Sequence, residues 1–376
     1  MYSKKIVSII CGMSLLVFLT ACNANSEEES PNGKISVVEQ TIDSQTTAPK
    51  ETKTSETETT ATEPQTTEPV YSEGLDFTSL GNGNAIVVGL GTCADTDIVI
   101  PFVTPDGDTV TEIEDQAFYN CSLLCSVAIP DSVTRIGACA FKNCENLKNI
   151  EIPDSVTDIG YLAFANCTSL TNIEFPNSIM DLGGGILYGC SQLQNVTLPQ
   201  GISSLNTSTD IYLAGGFFCG CESLTGIDIP DSVVFIDSYT FCNCSNLVNI
   251  NLPDGVEIGD YAFKDCTSMT NIDIPEGAIL NEHVFEGCTV LGNVNLPSTL
   301  YFDGFNIFNN CNKLNSINGV SIDEYIESVD LSSIYYRSLA NEDYKSIEEG
   351  YNQGANQYHN SPEDWFMNNF LGIQNQ

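Results

Sequence analysis

A block reading F-x-x-C-x-x-L-x-x-I-x-I-P recurs nine times between about Phe118 and Ile317. Its cysteines fall at Cys121, Cys144, Cys167, Cys190, Cys221, Cys244, Cys266, Cys288 and Cys311, so the spacing runs 23, 23, 23, 31, 23, 22, 22 and 23. One insertion therefore breaks a steady period. A unit this short cannot bury its own apolar residues, and a fixed period of this size is the mark of stacked coils that share one continuous core.

The columns of the repeat say how each coil is built. Three residues before the cysteine stands phenylalanine, or leucine at Leu187, and three after it stands leucine, or methionine at Met269. Pairs such as Ile150 and Ile152, Val196 and Leu198, or Ile250 and Leu252 follow, each closed by proline. Apolar residues at i and i+2 predict a short strand with one face inward. The fold class is thus a mostly β solenoid, and strands about 4.8 Å apart would carry nine coils over a length on the order of 40 Å.

The segments Ile129 to Leu147 (I-P-D-S-V-T-R-I-G-A-C-A-F-K-N-C-E-N-L) and Ile152 to Leu170 carry a fuller pattern, and it resembles the BspA-like leucine-rich repeats of bacterial surface proteins. The resemblance covers roughly residues 74 to 319. It implies a leucine-rich-repeat, right-handed superhelix of about nine coils of 22–23 residues, and a role in adhesion or ligand capture. Residues 73–117, with D-T-D-I-V-I-P at Asp95 to Pro101, look like the capping coil that opens such arrays, and 118–319 are the repeats proper. Gly183 to Leu187 and Ala278 to Phe285 depart from the pattern, which predicts irregular coils there.

Outside the repeats the chain changes character. Lys4 and Lys5 precede an apolar run from Ile6 to Leu19, which ends in L-T-A-C at Cys22. Residues 1–21 read as a signal peptide, since the charged flank and short core argue against a permanent span. The ending resembles a bacterial lipobox, and that resemblance implies lipidation at Cys22, export, and anchoring to the outside of a bacterial cell membrane. From 22 to 72 the chain is rich in Thr, Glu, Ser and Pro, too poor in apolar residues to offset the entropy of ordering, and predicts a disordered tether. Residues 320–376 are expected to form either a cap or a small separate module carrying Tyr335, Tyr336, Tyr344, Tyr351 and Tyr358. Ile322, Ile326 and Val329 recur at helical spacing there, and Ser361 to Asp364 form a helix-start signal ahead of Trp365, Phe366 and Phe370.

Charge narrows the partners. Between residues 73 and 319 there are thirty acidic side chains and five basic ones, a net of -25 within a whole-chain charge of -38. Such a surface repels nucleic acid and anionic headgroups and favours a basic patch on a protein partner. A monomer that binds a protein ligand at the cell surface, with the membrane engaged only through the Cys22 lipid, is the expectation. No EF-hand pattern and no C-x-x-C pair occurs, so neither a metal nor a cofactor is expected.

The sixteen cysteines of an exported chain would ordinarily suggest disulfides. Nine of them share one column among apolar neighbours, where side chains point the same way at strand spacing, and this favours a ladder of reduced, buried thiols. Cys219 and Cys242 share another column in adjacent coils and are the pair most open to bonding. So many exported thiols suggest an anaerobic habitat.

No catalytic site is expected. The two histidines, His283 and His359, are not spaced to serve a nucleophile. Asp154, Asp231 and Asp254 follow proline and read as turn residues. The candidate binding site is instead the outward side of the I-x-I strand, where alternation exposes the residues five and seven after each column cysteine. The strip comprises Asn149, Glu151, Asn172, Glu174, Asn195, Thr197, Asp228, Asn249, Asn251, Asn271 and Asp273, with Gly226 standing in the asparagine column. Asparagines that bond along their own ladder, with no ligand, are the competing reading. Tyr212, in the insertion of the 31-residue spacing, is a second candidate contact. In the alternative reading the repeats are a passive stalk that displays residues 320–376.

Overall fold

The computed structural model describes residues 71–205, 216–330, 333–337, 344–346, 361 and 366–372. All of these belong to the compact unit Thr66–Gln376. The proposed signal peptide, lipid attachment site and tether, as well as Tyr212, lie outside the described residues.

The unit is a β solenoid of about ten turns with one short α-helix near its C-terminal end. Most full coils contribute two strands. The first is the I-x-I strand, as in Asn149–Glu151, Asn172–Glu174, Asn195–Thr197, Gly226–Asp228, Asn249–Asn251 and Asn271–Asp273. Its neighbours pair in parallel and in register, so Asn172 lies beside Asn195 and Asp228 beside Asn251. The second strand is only two residues long in most coils, as in Arg135–Ile136, Asp158–Ile159, Phe235–Ile236 and Glu257–Ile258. Sequence periodicity did not predict it, because two residues with one buried side chain leave no alternation to read.

Between the strands the chain turns at P-D-S-V, closed by hydrogen bonds such as Val156 N–H to the Pro153 carbonyl at 3.0 Å and Val233 N–H to that of Pro230 at 3.0 Å. Asp154, Asp231 and Asp254 sit in these turns, as expected. The corner within F-x-x-C bends through left-handed residues directly before the cysteine, among them Asn120, Asn143, Asn166 and Asn243 with φ of 58–64°. Asparagine tolerates that conformation better than other non-glycine residues. The Asn143 amide donates to the Asn120 oxygen at 2.7 Å, and Asn166 donates to Asn143 at 2.9 Å, so the corner carries its own side-chain ladder.

The core is a spine of rings. Phe118, Phe141 and Phe164 stack at 5.1 and 5.5 Å, and Phe218, Phe241, Phe263, Phe285 and Phe308 stack at 5.1, 5.2, 5.3 and 5.3 Å. The run is interrupted where Leu187 replaces phenylalanine, beside the divergent coil at Gly183. There the second-strand row is reduced to an isolated bridge between Ile159 and Leu182. The Ala278 coil, by contrast, is regular: Ile279–Leu280 pairs in parallel with the strands on both sides, because position and burial were kept while the glycine was not.

The buried cysteines do more than fill volume. The Cys144 thiol donates to the Phe118 carbonyl at 3.1 Å, and Cys167, Cys190, Cys221, Cys244, Cys266, Cys288 and Cys311 each repeat the bond to the coil before. Burial pushes Cys144 and Cys190 up to about 12 and raises Cys167, Cys221 and Cys244 as well. Every described cysteine is a free thiol.

Beyond the repeats, Ser321 caps the helix Ile322–Ser328 by accepting from the Glu324 amide at 3.2 Å, at the helical spacing seen in the sequence. Ile334–Arg337 adds a parallel strand beside Leu300–Phe302. Near the end, Met367–Leu371 forms a π-helical turn in which Phe366, Phe370 and Leu371 are buried. Phe370 meets Phe308 edge-on at 5.6 Å and accepts a hydrogen bond from the Ile307 amide at 2.9 Å, so this turn lies against the last rung of the spine.

Candidate functional site

The first-strand row positions the candidate residues by simple alternation. In Asn149–Glu151, Asn172–Glu174, Asn249–Asn251 and Asn271–Asp273 the central isoleucine is buried and both flanking side chains are exposed. Asn195, Thr197 and Asp228 are exposed on the same side of their strands. The eleven strand residues predicted from sequence therefore share one polar row. It is divided among several short sheets rather than one continuous ladder.

The asparagine ladder is partial. Asn195 donates to Asn172 at 2.6 Å, Asn295 donates to Asp273 at 2.5 Å, and Ser316 donates to Asn293 at 2.9 Å. Where the column loses its side chain at Gly226, the surface opens into a recess of about 400 Å³ lined by the strands Asn195–Thr197, Gly226–Asp228 and Asn249–Asn251. A second recess of about 320 Å³ lies where Ser126 and Ala128 stand in the two columns. The sequence reading recorded Gly226 as a column member and missed that its absent side chain makes a hollow. The signal was there: it is the only glycine in a column that is otherwise asparagine or serine.

Charge on this unit is poorly compensated. Arg135 alone engages Asp115 at 2.7 Å, Asp158 at 3.3 Å and Glu112 at 3.6 Å across three coils. Lys264 pairs with Glu286 at 2.5 Å. Glu286 also lies 2.6 Å from His283, whose ring stacks on Tyr261 at 4.8 Å, while Tyr261 stacks on Tyr239 at 5.1 Å. The partners of His283 are thus carboxylates and a stacked ring, an arrangement that locks coils together. Cys219 and Cys242 are in hydrogen-bond contact and not bonded, and that contact together with burial raises Cys242. Among the described residues no cluster of metal-ligating side chains occurs, and no helix is long and apolar enough to cross a membrane.

Comparison with known proteins agrees with the coil geometry. The model of the BspA-type leucine-rich repeat region matches residues 107–209 and 212–340, in six copies. The chain belongs to the BspA-type leucine-rich repeat family. Among solved structures, a leucine-rich repeat protein from Bacteroides ovatus is 28% identical, with a TM-score of 0.52 over 67% of this chain and 70% of that one. A leucine-rich repeat protein from T. pallidum is 29% identical over 54% of this chain and 91% of that one, with a TM-score of 0.47. A leucine-rich cell surface protein from Faecalibacterium prausnitzii is 23% identical over 70% of this chain and 98% of that one, with a TM-score of 0.33. A search of curated proteins found no match. As a BspA-type solenoid the chain has a fold suited to protein interaction and typically without enzymatic activity.

Proposed function

We propose that this BspA-type chain is a lipid-anchored bacterial surface protein that captures another protein on its first-strand face and carries out no chemistry of its own. The observation that carries the reading is the row of exposed Asn, Glu, Thr and Asp side chains held by buried isoleucines on successive coils. Repetition of one kind of group over many coils suits an extended contact, whereas a reaction centre needs several different groups at one point. The net charge of -25 over residues 73–319 favours a partner with a basic surface. Anchoring rests on the L-T-A-C ending at Cys22, and the Thr- and Glu-rich segment to residue 72 supplies the tether.

The stalk alternative gives the recognition to residues 320–376. Burial of Phe366, Phe370 and Leu371 speaks for a cap, because apolar groups already used to close the spine are not free to anchor a partner. The test is binding of the fragment 73–376 to a panel of host-matrix and bacterial surface proteins, beside a variant with Asp228→Lys and Asp273→Lys. The expected outcome is loss of binding in the lysine variant with an unchanged circular dichroism spectrum. Binding retained by that variant and lost only on removal of 320–376 would replace the strand-face reading with the stalk.

A further inference from the structure

The recess at Gly226 has a chemistry that the rest of the strip lacks. Its lining includes the exposed side chains of Asn195, Thr197, Asp228, Asn249 and Asn251. No cation approaches Asp228 among the described residues, and no hydrogen-bond donor satisfies its carboxylate there. The second recess differs in its donors and acceptors: it also holds a carboxylate, Glu151, but only one asparagine, Asn149, lines it, and its Asp97 accepts from Ser126 at 2.5 Å. The Gly226 hollow thus combines an unengaged carboxylate, several carboxamide oxygens and the space left by one missing side chain, on a unit with thirty acidic and five basic residues between 73 and 319.

We propose that this hollow is a socket for an arginine side chain of a protein partner, which enters the gap in the asparagine column at Gly226 and pairs with Asp228. The inference rests on the strand-face reading and specifies it. A guanidinium presents its donors as a planar fork, which can engage a carboxylate and neighbouring amide oxygens together, whereas an ammonium offers a compact, more strongly hydrated charge. Arginine is also enriched among the residues that anchor protein interfaces. Asn249 and Asn251 have acceptor oxygens that no bond within the described residues occupies, so an entering donor displaces only water. Asn195 donates one amide hydrogen to the Asn172 oxygen, which leaves its own oxygen for the ligand.

The test uses the full chain labelled with nitrogen-15 at glycine and asparagine. The probes are the blocked peptide Ser-Gly-Arg-Gly-Ser and the same peptide with neutral citrulline in place of arginine, at millimolar concentration. The arginine peptide is expected to shift the Gly226 amide and the Asn195 and Asn249 carboxamides, and the citrulline peptide to leave them in place. Asp228→Asn should weaken the response about fivefold, the scale of one exposed ion pair. Gly226→Asn, which restores the column residue, should abolish it; a Cβ there meets the Asn249 carbonyl oxygen at 3.2 Å, so a small shift admits the side chain. An unchanged Gly292 signal serves as the folding control, and Asp228→Asn on an exposed side chain keeps the test decisive if the Gly226 variant misfolds.

An equal response to citrulline, or one that survives Gly226→Asn, overturns the socket. Should Gly226 stay silent while the Asp228→Lys, Asp273→Lys variant still loses its protein partners, the socket fails and the strand-face reading stands. Silence at Gly226 together with full binding by the lysine variant removes both.

Discussion

A cysteine at the inner corner of a tight coil meets two demands, small volume and a donor for the carbonyl of the coil before. Valine would satisfy only the first. Cys266→Val should therefore destabilise by about 1 kcal/mol through the lost hydrogen bond, with any misfit in packing added, and thermal unfolding would measure it. The same column sets an alkaline limit. In the folded state Cys144 and Cys190 are pushed up to about 12, while unfolding returns a thiol to about 8.5. Their folded pKa is raised, so the stabilising effect is whole below the unfolded value and is lost as pH climbs towards the folded one. Melting temperature should thus be insensitive to thiol ionisation at neutral pH and fall steadily between about pH 9 and 12. A flat profile across that window would contradict the burial of these thiols. Glycine in the I-G element acts by a different route: a Cβ at Gly160 would overlap the backbone of Ala138 in the preceding coil. Gly160→Ala is expected to cost about 1–3 kcal/mol in denaturant titration, the usual range for forced overpacking.

At the scale of the element, what could be read depended on whether a pattern was long enough to repeat. The three-residue strand was legible because Ile150 and Ile152 alternate with exposed neighbours in coil after coil, and the exposed row followed from that alternation alone. The two-residue strand at Arg135–Ile136 was not, since its pairing depends on the neighbouring coil and leaves only one buried side chain in the sequence. The sulfhydryl bonds were hidden for a similar reason: column spacing shows that Cys144 is buried but not which carbonyl lies beside it. The recess at Gly226 needed both facts, an absent side chain and the neighbours that surround the gap. Near the end the sequence offered a helix start ahead of Phe366 and Phe370; the structure has a short π-helical turn, Met367–Leu371, seated on Phe308 and Phe302, a packing that no spacing in the sequence announces. Phe370→Ala should cost about 3–5 kcal/mol locally. Hydrogen exchange at the Ile307 amide, which donates to Phe370, is expected to accelerate well before that of coils near Phe141. Uniform exchange along the solenoid would show that this turn does not close it.

For the whole molecule the governing quantity is the imbalance of charge. Arg135 and Lys264 are held in ion pairs, so two of the five cations between residues 73 and 319 already serve the fold. Most carboxylates are left to water, and their summed field extends beyond the surface over roughly 8 Å at physiological salt. A basic partner would be drawn in by this field before it makes contact, which raises the association rate more than it slows dissociation. The signature is kinetic. With a partner found in the panel above, the association rate constant should fall by about tenfold or more when salt rises from about 0.05 to 0.5 M, while the dissociation rate changes far less. Substituting Asp273→Asn, at the rim of the strip, should reproduce part of that loss at low salt and none at high salt, because screening removes the same contribution that the substitution removes. An association rate indifferent to salt would mean that the acidity of the solenoid keeps it soluble and plays no part in recognition.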